Sequence, residues 1–319
     1  MATTHPVRDA PWTGSGRLDG PARRIVSLLP SATEIVCALG LRDCLVAVTH
    51  ECDHPADIIE GVPRITSNLL PDEGRRSAEI DLTVRAAVDA GHGLYALDEP
   101  MMAKLAPDLL LTQELCDVCA VAYPTVLRAA RALGGTSGPM VVSLEPHSLD
   151  DVLASIELVA DLADAQDAGA RLTADLRRRL DAVRQPTHRS RVALVEWLDP
   201  LFAPGHWVPE QIELAGGRPA IGHPGDRSRE ASWDDLADAD PEVVVLGLCG
   251  FDLARSVDEW SAFDPPPALQ RTSAWRMGQL WAIDGSAYVS RPGPRLVDGV
   301  EVLAAILNDR PDPRALRLS

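Results

Sequence analysis

The same strand–helix alternation stands on both sides of one long helical stretch, Ser148–Arg184, and this layout constrains the fold more than any other feature. Within the stretch, apolar residues recur at Val152, Ile156, Val159, Leu162, Leu172, Leu176, Leu180 and Val183, the spacing of a helix face. Asp150 and Asp151 fall in its first turn and Arg177, Arg178 and Arg179 near its end, as the helix dipole favours. Gly169 is the expected point of bending or breakage. Before the stretch, strands are expected at Arg24–Leu29, Leu45–Thr49, Leu94–Leu97, Asp108–Thr112 and Val141–Leu144. Helices are expected at Ser31–Gly40, Ser77–Ala90 and Pro124–Leu133. Ser31 and Glu34 read as a capping box for the first of these. After the stretch, the strands Arg191–Trp197, Glu242–Leu248 and Leu280–Ile283 alternate with the helices Val208–Ala215 and Arg295–Leu307. The halves also share a local echo: Ala106–Thr112 resembles Asp240–Leu246, each with Pro and an acid before a buried strand.

This pattern predicts an α/β fold of two Rossmann-like lobes with parallel sheets, joined by a long bridging helix. A chain of 319 residues suits two domains. The expected boundaries are a flexible leader over 1–22, an N-terminal lobe over 23–147, the bridge over 148–185, a C-terminal lobe over 186–312 and a tail over 313–319.

Charge narrows the partners. Thirty basic residues against forty-seven acidic ones leave a net charge of -17. Nucleic-acid backbones and anionic membranes need a basic footprint, so neither is an expected partner. No uncharged apolar run approaches the roughly 18–20 residues of a membrane span, so membrane insertion is not expected. Met1–Gly20 is polar, with no apolar h-region, and the first cysteine is Cys37. The expectation from these residues is a cytoplasmic protein. An alternative is an exported component whose signal has been removed. Six cysteines are too few for a disulfide scaffold.

Ligands of open parallel sheets bind beyond the carboxyl ends of the strands. The segments there are Thr49–Asp53, Thr112–Cys119, Glu196–Pro200, Gly247–Asp252 and Asp284–Arg295. Four of the six cysteines fall in them: Cys52, Cys116, Cys119 and Cys249. Facing one cleft, they would make a four-thiolate site, or a site of three thiolates with the His50 imidazole, for Zn2+ or an Fe–S cluster. Four unrelated buried thiols are the alternative, and both readings stand. His50, Glu51, Glu114 and Glu196 are polar candidates for holding a ligand. Trp197, Trp207 and Tyr288 offer rings for stacking, and Arg291 offers a guanidinium for a carboxylate, phosphate or amide carbonyl. Trp207 reads equally as a staple for the helix that follows it, and Arg295 as helix-surface charge.

Arg24–Gly40, the Pro107-Asp108 strand entry, the bridging stretch, Phe202–Gly217 and Pro292–Leu307 together resemble the class III substrate-binding proteins of ABC transporters, in the iron-siderophore and vitamin B12 group. The resemblance covers roughly residues 22–310 and leans toward the cobalamin-binding branch. It implies a non-catalytic protein that holds a corrinoid or another metal chelate between two lobes. It also implies docking to an ABC permease through one surface glutamate on each lobe, here Glu79 and Glu213, which read equally as solvated helix acids. The cleft aromatics typical of the cobalamin-binding branch are replaced at the matching loops by Glu51-Cys52 and Gln113-Glu114. The chain has no GxSxG, Walker loop or post-strand GxGxxG, so no catalytic role is expected. The competing reading is a cysteine-based Zn or Fe–S protein for storage, sensing or catalysis.

Overall fold

The computed structural model describes residues 12–15, 18–70, 74–90, 92–114, 121–134 and 138–318. The chain divides into two compact units. The first comprises residues 1–69, 93–146 and 150–170, and the second residues 70–92, 147–149 and 171–319.

The first unit is built on a five-stranded sheet ordered Trp12–Ser15, Met140–Leu144, Leu109–Thr112, Ile25–Ser27, Leu45–Val48. The last four are parallel, and Trp12–Ser15 runs antiparallel at the edge. Leu109, Leu110 and Leu111 are fully buried, as a central parallel strand covered on both faces requires. The second unit repeats the design in the order Arg218–Pro219, Arg191–Val195, Val243–Leu246, Leu280–Ile283, Ala315–Arg317, with only the last strand antiparallel. Its core joins Val195, Leu246 and Leu248 to aromatic residues, among them Phe251 and Trp260. Among the described residues, no helix is long and apolar enough to cross a membrane.

The expected leader and tail are both partly structured. Trp12–Ser15 pairs with Met140–Leu144, and Ala22 is fully buried and donates its amide to Leu162 O at 2.7 Å. Ala315–Arg317 closes the other sheet against Trp281–Ile283. In each case a short segment satisfies an open strand edge. Tyr95–Leu97 is a strand, but it pairs with Thr66–Asn68 in a separate ribbon rather than joining the main sheet.

The first helix begins at Pro30, so Ser31 lies inside it and is not its cap. Proline at the first helical position needs no amide partner and has a preset φ, which removes the need for a side-chain cap. The long helical stretch is two helices, Leu149–Leu162 and Gln166–Asp181, separated where Asp164 takes a left-handed conformation (φ 58°). Gly169 is not the break. It lies where the two helices touch: a Cβ there would sit 2.6 Å from the Ala160 Cβ. Gly169→Ala is therefore expected to destabilise the first unit by about 1–3 kcal/mol through overpacking, despite alanine's better helix propensity. Urea denaturation checks this, and an unchanged or raised midpoint contradicts it.

The helix Ser77–Asp89 is expected with the N-terminal lobe, but its contacts belong to the second unit. Glu259, only 5% exposed, accepts from Ser77 N at 2.9 Å and pairs with Arg76 at 3.4 Å. Ile80 packs on the second core, and Arg85 reaches Glu230 at 2.9 Å. A carboxylate over the first turn complements the helix dipole, so this docking is electrostatic as well as apolar.

Candidate ligand-binding loops at the strand ends

In the first unit the strand Leu45–Val48 delivers Thr49-His50-Glu51-Cys52 to its carboxyl end. His50 is fixed by Thr66, whose hydroxyl accepts from His50 N at 3.1 Å and lies 2.8 Å from Nδ1. Nε2 faces Glu51 Oε1 at 3.2 Å, and Tyr95 covers the ring at a centroid distance of 5.4 Å. These residues line a shallow pocket with Leu28, Thr49 and Val121.

Cys52 does not face that pocket as a free ligand. It is 2% exposed, and its sulfur lies 3.0 Å from Thr33 Oγ1. Thr33 in turn donates to Ser27 Oγ at 2.9 Å, and Ser27 to Leu29 O at 2.8 Å. The thiol ends a buried hydrogen-bond chain that pins the first strand, the first helix and this loop together. Glu114 is exposed, and its amide donates to Glu145 Oε1 at 2.9 Å. Cys116 and Cys119 lie outside the described residues.

In the second unit the expected ligand residues separate into two kinds. Trp207 is 4% exposed and donates from Nε1 to Val289 O at 2.8 Å, so its ring is core rather than a stacking platform. Trp197 packs edge-on to Phe251 at 5.2 Å and donates to Ser77 O at 3.2 Å. It anchors the Ser77–Asp89 helix. Glu196 accepts from Ser228 and from Gly205 N; burial, reinforced by the nearby Cys249, pushes its carboxyl up to about 8. It is therefore uncharged at neutral pH and latches neighbouring loops. Cys249 is exposed at the end of the strand Val243–Leu246. Among the described residues no three His, Cys, Asp or Glu side chains are grouped to hold a metal ion.

Tyr288 and Arg291 sit at a π turn, Ser286–Ser290, that follows the strand Leu280–Ile283. Such turns widen a helix locally and recur at functional sites. Burial raises the Tyr288 phenol above its ordinary range. Asp284 was not singled out in the sequence, yet it organises this loop. Its carboxylate accepts from Ala287 N at 2.6 Å, and burial holds its pKa up against the pull of Arg295 and Arg291. The signal was present: an aspartate directly after a strand and three residues before the amide it caps.

Glu79 and Glu213 do not fall one on each unit. Both lie in the second. Glu79 is committed to the Arg76 amide at 2.9 Å as a helix cap, whereas Glu213 is exposed on the helix Val208–Leu214.

Two largely parallel sheets, each with loops at the carboxyl ends of its strands, are the layout of the periplasmic binding protein fold. The sequence profile of the periplasmic binding protein family matches residues 25–287, and the chain belongs to that family. The vitamin B12-binding protein of Vibrio cholerae is 26% identical over 293 residues, covering 90% of both chains. The cobalamin-binding protein of Halobacterium salinarum is 24% identical over 294 residues, covering 90% of this chain and 70% of that one. Among solved structures, the periplasmic heme-binding protein RhuT of Roseiflexus superposes with a TM-score of 0.66 at 24% identity, covering 91% of this chain and 99% of that one.

Proposed function

We propose that this chain is a non-catalytic binding protein whose ligand is a corrinoid, a metal already enclosed in an organic chelate. The observation that carries the reading is the likeness to the Vibrio cholerae vitamin B12-binding protein along nine-tenths of both chains. Two physical features support it. The negative net charge disfavours an anionic chelate. Glu196, uncharged at neutral pH, is an amide-compatible group rather than a fixed anion beside the strand end. The chelate is the cargo, and His50 and Glu51 at a strand end of the first unit are its proposed contacts. The visible spectrum of the protein as isolated, with elemental analysis, tests the reading. Corrin bands with one cobalt per chain support it. Cluster absorption with iron and sulfide in place of cobalt overturns it.

The proposed compartment is the cytoplasm, and fractionation of the native host tests this separately. Full-length product among the cytoplasmic proteins supports it, and a processed product outside the cytoplasm overturns it.

A further inference from the structure

Two histidines of the second unit, His147 and His206, lie side by side. The His206 and His147 ring centroids are 5.5 Å apart with planes 46° from parallel, and the Trp207 ring lies 5.6 Å from His206. His206 adopts a left-handed backbone, φ 51°, a conformation that costs a non-glycine residue about 1–3 kcal/mol. The surrounding chain imposes it. His206 N donates to Asp226 O at 2.6 Å, and Gly225 N donates to His206 O at 2.9 Å. Gly205 has no room for a Cβ against the main chain of Asp226, Arg227 and Ser228. The ring is thus set by main-chain contacts before and after it. Its Nδ1 is buried with no hydrogen-bond partner. Leaving such an atom unpaired is unfavourable, so a partner there is stabilising.

We propose that His147 and His206 form a two-imidazole site for a first-row divalent transition-metal ion, Zn2+, Ni2+ or Cu2+, taken directly from solution. Each ring supplies one nitrogen lone pair, and water completes the shell. Imidazole suits these ions. Two rings ligating one tetrahedral ion at about 2.0–2.1 Å place their centroids roughly 5 Å apart, close to the observed spacing. Ligands on neighbouring corners suit a bare ion. A planar macrocycle would leave only opposite corners open. The other described residues add no third ligand from His, Cys, Asp or Glu, so the ion is exchangeable.

The test is a Zn2+ titration of the full chain, labelled with 15N-histidine and free of any chelate, followed by imidazole NMR. The His147 and His206 signals are expected to move together and saturate at one equivalent. His147→Gln abolishes the shift of the His206 ring. His206→Asn abolishes that of His147, and asparagine tolerates the left-handed backbone. If His206→Asn fails to fold, His147→Gln still reads the coupling. His188→Gln leaves both shifts intact, because His188 pairs with Glu242 at 2.9 Å elsewhere. Zinc uptake that leaves both rings unmoved, or moves only one of them, overturns the site.

Discussion

Trp207→Ala is expected to destabilise the second unit by about 3–5 kcal/mol, the range for removing a buried aromatic side chain. The indole is 4% exposed, and its Nε1 donates to Val289 O across a long stretch of sequence. Truncation leaves a cavity and an unpaired buried carbonyl, and the two penalties act together. Trp207→Phe keeps most of the apolar surface but loses the donor, so its effect is expected near 1–3 kcal/mol. Chemical denaturation followed by circular dichroism measures both. A Trp207→Ala variant as stable as the parent would contradict the core assignment and return the ring to a ligand-facing role.

Glu196→Gln is expected to change the pH dependence of stability more than any other single substitution. The carboxyl is pushed from its ordinary value of 4.5 up to about 8, chiefly by burial. A raised acid favours the folded state in its protonated form. Its contribution is fully present below about pH 4.5 and is lost as pH rises through about 8. The loss across that window amounts to a few kcal/mol. Glutamine cannot ionise, so the variant is expected to hold its stability between about pH 5 and about pH 9 while the parent loses stability. Urea midpoints at the two pH values decide. Parallel losses in parent and variant would show that Glu196 is ionised in the folded state.

The alternation of strands and helices was legible because buried parallel strands read as apolar runs such as Leu109–Thr112 and Val243–Leu246. Edge strands were not, because Trp12–Ser15 and Ala315–Arg317 are short and largely polar and exist only by pairing with an open edge. The break at Asp164 was hidden because Val159, Ala160 and Ala163 continue the apolar face up to it. Gly169 suggested a break, yet its missing side chain serves close packing instead. The placement of Ser77–Asp89 depends on Glu259, 182 residues from Ser77, and no local pattern carries that information.

The site was legible only in outline. Strand-end reasoning found the His50 loop and the Tyr288–Arg291 loop, since topology alone places them. It erred for Cys52 because a loop position does not show that Thr33 lies beneath the sulfur. The constraint on His206 by the chain at Gly225 and Asp226 is a tertiary property with no local sequence signal.

Corrinoid binding is read by equilibrium titration of the full chain with cyanocobalamin, beside parallel titrations with haemin and a ferric hydroxamate. Saturable one-to-one binding of cyanocobalamin, in preference to the other two, is expected. Saturable binding of haemin or the ferric hydroxamate with none of cyanocobalamin rules a corrinoid ligand out.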